Sequence, residues 1–176
     1  MRQRLFATFT IAAIAIAAPQ TPILAQSISG QDLTPEGRGA FISLSGAIGA
    51  FEIRSAEIAL EKARRPEVRE YAQRMLTEHR RATEQLKEIV GESGREFLEP
   101  PAMLPFQWEM LRDLEDKSSR RFDGEYVEQR VESHEVAVNL HRNFAANGND
   151  PSLQAFAEAA LPAETGHLDQ ARLLDR

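Results

Sequence analysis

An all-α, antiparallel four-helix bundle with a short extra helix in the crossover is the fold that this sequence predicts. Three observations predict it. Four long segments carry apolar residues at alternating steps of three and four, the spacing of a helix seam. Two junctions between them are short and built from helix-stopping and helix-starting residues, Arg64-Arg65-Pro66 and Asn147-Gly148-Asn149-Asp150-Pro151. No stretch alternates apolar and polar residues in the manner of a half-buried strand.

Ahead of the bundle, residues 1–25 read as a secretory signal. Arg2 and Arg4 give a positive start, Leu5 to Ala18 is an apolar run too short and Ala-rich to span a membrane, and Ala25 offers a small residue for cleavage. An uncut anchor is the alternative; Pro19 and Pro22 count against it. Residues 26–33 form a flexible polar N-terminus, and residues 34–176 the bundle. The signal directs the mature chain to the periplasm, without a transmembrane helix. Association with the outer membrane and the oligomeric state are left open. The chain has no cysteine, so neither lipid attachment through cysteine nor a disulfide contributes. Losing Arg2 and Arg4 takes the net charge from −6 to −8, and no basic block offsets it, which excludes nucleic acid and anionic lipid as partners.

The first helix is expected from Thr34-Pro35 to about Ala63, with Thr34 as cap. Its seam is Phe41, Leu44, Ile48, Phe51, Ser55 and Ile58, and Glu52 points inward beside it. The second runs from Pro66 to about Val90 on Val68, Ala72, Met75, His79, Ala82, Leu86 and Ile89, and stops at Gly91 and Gly94. After a segment holding Pro100, Pro101 and Pro105, a short helix from Phe106 to about Lys117 presents Trp108, Leu111 and Leu114. The third long helix opens at Phe122-Asp123, with Asp123 as cap, and its seam is Val127, Val131, Val138 and Ala145, interrupted by His134. The fourth, capped by Asp150, runs from Pro151 to about Leu174 on Leu153, Ala157, Ala160, Glu164, His167, Ala171 and Leu174, with Pro162 inside it as a kink or a lost hydrogen bond.

Depth along the bundle follows from the rise of a helix. If the turns near Arg65 and Asn149 lie at one end, Glu52 stands roughly 19 Å in, His79, His134 and Glu164 roughly 22 Å, and His167 roughly 27 Å. These five form one polar layer in an apolar core. His141, roughly 12 Å in, stands apart as a buried ring bonded to a neighbour, and Glu78 falls on a solvated flank. Imidazole and carboxylate together suit a first-row transition metal, and helix bundles build metal sites from facing helices. The layer Glu52, His79, His134, Glu164 and His167 is therefore a candidate site for a single iron, zinc or manganese ion. The other reading is an envelope stress or interaction protein whose His/Glu network only fixes helix register. Catalysis is left undecided.

The blocks FEIRSAEIALEKARRPEVREYAQRMLTEH, FDGEYVEQRVESH and NGNDPSLQAFAEAALPAETGHL resemble a bacterial family of exported proteins with a ferritin-like domain, carried under outer-membrane-protein and unknown-function labels. The resemblance spans about Phe41 to Leu174 and implies a ferritin-like bundle. Its pattern is met by Glu52, by Glu78-His79, by Phe122, Asp123 and Tyr126 followed by His134, and by Leu161, Pro162 and His167. Glu164 and His141 depart from it, standing where the family carries apolar residues. A di-iron site needs Glu-x-x-His on two helices and two further carboxylates. Only Glu164-Thr165-Gly166-His167 offers that spacing, which argues against di-iron oxygen chemistry.

Overall fold

A computed structural model describes residues 37–92 and 103–176. The signal peptide, the polar N-terminus and Thr34-Pro35 lie outside the described residues. Five helices follow in order: α1 (Arg38–Lys62), α2 (Pro66–Val90), α3 (Pro105–Asp116), α4 (Ser119–Asn147) and α5 (Pro151–Leu174). Among the described residues there is no strand, and no helix is long and apolar enough to cross a membrane.

The helix ends follow from local chemistry. Gly37 is extended, so α1 begins at Arg38. Pro66 and Pro151 occupy first-turn positions, where a missing N–H costs nothing. The Asp150 carboxylate accepts from the amides of Ser152 and Leu153 at 3.0 and 3.2 Å and caps α5. Gly91 ends α2 with φ +59°, a conformation that costs glycine little. α5 is continuous through Pro162, which leaves the Glu158 carbonyl without its usual helical donor.

Asp123 departs from expectation. α4 starts four residues earlier, at Ser119, and Asp123 lies within it. Its carboxylate accepts from the amides of Arg64 and Arg65 at 3.0 and 2.9 Å. It therefore satisfies the amides that lead into α2 from another helix, tying α4 to the α1–α2 junction.

Neighbouring helices are antiparallel around the ring α1-α2-α5-α4. Arg65 Nη1 donates to the Leu174 carbonyl at 3.0 Å, and Asp123 meets Arg64. These contacts gather the end of α1 and both starts of α2 and α4 with the end of α5. At the opposite end, Arg38 reaches Asp150 at 3.0 Å and the Val90 carbonyl at 3.3 Å. The turns near Arg65 and Asn149 are thus at opposite ends, not at one. The depth estimate holds for His79, His134 and Glu164, which stand within a few residues of mid-helix, whereas His167, seven residues before Leu174, stands roughly 10 Å from that end of its helix. The link from α2 to α4 must run the length of the bundle. α3 lies on this crossover, held by Gln107 Nε2 to the Ala47 carbonyl, Gln129 Nε2 to the Met110 carbonyl and Lys62 Nζ to the Leu114 carbonyl.

The core is divided. One apolar cluster centres on Phe51, Tyr71, Met75, Phe122 and Tyr126, the other on Phe41, Ile48, Leu86, Phe144 and Leu153. On α2, α4 and α5 the polar layer falls between them. Several seam assignments shift: Val131, Ala145, Ala82 and Leu174 are only partly buried, Ile89 is exposed, and Trp108 is 52% exposed while Met110 takes its place inward. Asp123→Ala removes the acceptor from two part-buried amides and is expected to cost about 0.5–1.5 kcal/mol, read by urea denaturation. A loss under a few tenths of a kcal/mol would show that the bridge carries no weight.

Candidate metal centre

Three helices converge on one point. α2 supplies His79, α4 supplies His134, and α5 supplies Glu164 and His167, which share a face at a spacing of three. One donor atom from each lies within 4.8 Å of the others, and all four residues are buried. His79 Nε2 and His134 Nε2 are 3.4 Å apart. Two nitrogens bound to one tetrahedral ion at about 2.0–2.1 Å stand about 3.4 Å from each other, so the spacing of this pair matches that of two ligands. His134 Nε2 is 3.8 Å from Glu164 Oε2. The ring of His167 is 5.5 Å from that of His79 and 5.3 Å from that of His134, centre to centre.

Hydrogen bonds behind the rings fix which nitrogen faces inward. His134 Nδ1 lies 2.8 Å from the Arg130 carbonyl, which can only accept, so Nδ1 carries the proton and Nε2 keeps its lone pair. His167 Nε2 is 2.6 Å from Glu78 Oε2 and donates to it, so Nδ1 is the ring nitrogen left for an ion. That Nδ1 and Glu164 Oε2 are buried without a hydrogen-bond partner. Buried polar atoms are normally paired, so these two are free to take a ligand; Glu52 Oε1 and Arg130 Nε and Nη2, in the neighbouring ion pair, are likewise without a partner. Glu78 had been placed on a solvated flank. It is half-exposed, yet it orients His167.

Burial also sets the charges. It pushes His79 down to about 3, against the attraction of Glu52, and lowers His134, so both rings are neutral at neutral pH. Burial pushes Glu164 up to about 8, with Glu52 and Glu78 adding to it. The metal-free carboxyl therefore holds its proton at neutral pH, and a bound dication would displace it.

Glu52 stands behind this group, not within it. Burial would raise its carboxyl, but Arg130 foremost, then His134 and His79, hold it well below the usual carboxylate range. Arg130 is 0% exposed. Its Nη1 donates to Glu52 Oε2 at 2.7 Å and to the Ser55 hydroxyl, and its guanidinium lies 4.5 Å from the Phe51 ring centre and 5.1 Å from that of Tyr126. Glu52 Oε1 remains 4.0 Å from His134 Nδ1. Of the five layer residues, then, four come together and Glu52 is drawn off by a guanidinium. Sequence reading missed Arg130 because a charge argues for the surface. The one signal was its register: Phe122, Tyr126, Arg130 and His134 recur at steps of four on one face. His141 sits apart, Nδ1 donating to the Ala137 carbonyl at 2.9 Å, its ring beside Phe41 and Phe156, and burial lowers its pKa.

The chain belongs to a family described as domain of unknown function (DUF4142), which it matches over residues 25–174. No curated protein matches it. Among solved structures it is similar to a protein described as "CopM in the Cu(II)-bound form", with a TM-score of 0.63 and 21% identity over 78% of this chain and 94% of that one. At that identity the likeness is one of fold.

Arg130→Met strands the buried Glu52 carboxylate and is expected to cost about 3–5 kcal/mol in urea denaturation, whereas Glu52→Leu with Arg130→Met recovers most of it. A double variant as unstable as the single one would show that the pair is not what matters. The pKa shifts give a second expectation for metal-free protein. His79, His134 and His141 bind protons more readily when unfolded, so stability falls as pH drops below about 6.5. Glu164 binds its proton more tightly when folded. Its contribution is complete below about 4.5 and is lost as pH rises to about 8. The melting temperature should therefore peak near about pH 6.5, and Glu164→Gln should flatten the alkaline side. A steady rise from acid to alkali in the unsubstituted chain would contradict a protonated Glu164.

Proposed function

We propose that this DUF4142 protein is an exported helical bundle that binds one transition-metal ion in its core through His79, His134, His167 and Glu164. The observation that carries the reading is the convergence of four buried donors from three helices, with His167 Nδ1 and Glu164 Oε2 left unpaired. Such atoms lose a hydrogen bond's worth of free energy in the empty protein, and an ion restores it.

Three imidazoles and one carboxylate favour copper(II) or zinc(II) over manganese, which prefers oxygen-rich sites. Iron is accommodated less well, because one of the two carboxylates in the layer belongs to Arg130. The fold neighbour described as Cu(II)-bound supports testing copper first. Each residue has a part: His134 is the rigid donor fixed by the Arg130 carbonyl, His79 faces it, His167 is steadied by Glu78, and Glu164 supplies the anionic oxygen once its proton leaves. The role is binding, storage or carriage of the ion.

Export rests on Arg2, Arg4 and the apolar run to Ala18, which support reading residues 1–25 as a cleaved signal and residues 34–176 as the periplasmic domain. The single long crossover supports a ferritin-like arrangement. Outer-membrane association rests on the labels of the resembling family alone.

Untagged protein titrated with copper(II) or zinc(II) in a calorimeter is expected to bind one ion per chain and to melt at higher temperature when loaded. Glu78→Gln should weaken binding by about 10–100-fold, as loss of an outer partner does, and His79→Ala or His167→Ala by more. Absence of saturable binding, or affinities indifferent to both histidine substitutions, would sink the reading.

A further inference from the structure

We infer that the ion enters and leaves through the groove between α2 and α5, which makes the site an exchangeable one and not a sealed structural centre. The inference rests on the metal reading above and concerns what that reading leaves open.

A cavity of about 410 Å³ lies in this groove. His79, Glu164 and His167 line it, whereas His134 does not. The donors are therefore arranged from the back. His134 is fully buried against the Arg130 carbonyl, and the other three line this groove. Water occupies about 30 Å³ per molecule, so an ion with a six-water shell needs about 180 Å³. The cavity exceeds that volume, so waters can enter the groove with the ion. Shedding of water can then proceed stepwise as donors replace it.

Small side chains make the groove. Ala159 and Ala163 stand one turn apart on α5, both exposed, with Ala160 between them in the lining. Larger residues would fill the gap between α2 and α5. At the rim stands Glu78, its side chain 46% exposed and its Oε2 on His167 Nε2. One carboxylate therefore faces the arriving cation and also orients a donor.

The experiment measures cobalt(II) loading by stopped flow, and its removal by EDTA, on the full chain and four variants, Ala159→Leu among them. Ala163→Leu and the double Ala159→Leu/Ala163→Leu narrow the groove. Ala155→Leu is exposed on α5 outside the lining and serves as control. Leucine is a good helix former, so α5 should persist, as circular dichroism would verify. If Ala163→Leu disturbs the helical signal, Ala159→Leu alone carries the comparison. The narrowed variants are expected to load and release at least about tenfold more slowly, with dissociation constants unchanged and the control like the unsubstituted chain. Equal rates in narrowed and unsubstituted protein would overturn the route while leaving the site standing. Failure of the unsubstituted chain to bind cobalt, copper or zinc would remove the site itself.

Discussion

Arg130 is a charge with no water around it, and the middle of the bundle is arranged to answer that. A fully buried guanidinium persists only when an anion and further acceptors meet it. Glu52 is that anion, Ser55 adds an acceptor, and the rings of Phe51 and Tyr126 receive the guanidinium faces. Each partner comes from α1 or α4, so the ion pair also sets the register of these two helices. The same residue's carbonyl holds His134 by Nδ1. One residue thus removes Glu52 from the donor group and aims His134 into it.

The polar layer lies between two apolar clusters, and this position explains how it is tolerated. Each fully buried Phe, Leu or Ile contributes roughly 1.5–3 kcal/mol of hydrophobic stabilisation, and the clusters hold many such side chains. Desolvating two neutral imidazoles and a protonated carboxyl costs far less than desolvating three charges would. Neutrality is therefore part of the design of the empty site: burial keeps His79 and His134 unprotonated and Glu164 protonated. A dication reverses the last of these, and charge then appears only where it is met.

The two ends of the bundle do work that the middle does not. Near Arg65, Asp123 and the Leu174 carbonyl knit four helix termini together. Near Asn149, Arg38 does the same with Asp150 and the Val90 carbonyl. Mid-height is where α2 and α5 are least filled, because α5 presents Ala159, Ala160 and Ala163 there. Rigid ends and a spare middle give a site that is positioned by the fold and still reachable from outside it.

By itself the sequence determined the helices and the height of the polar layer. Three/four periodicity, Pro66 and Pro151 at helix starts and the fixed rise per residue are local properties, and they survive any choice of packing. The layer was legible even with the turns placed at the wrong common end, because residues near mid-helix have the same height measured from either side. Tertiary structure decided the rest. Which carboxylate faces the histidines depends on Arg130, whose charge argues for the surface until a partner from another helix is in place. Whether Asp123 caps its own helix or satisfies the amides that lead into α2, and whether Glu78 is a flank or a prop for His167, depends on which termini and faces meet. Periodicity records what a side chain does to its own helix, and pairing of buried polar groups is settled only between helices.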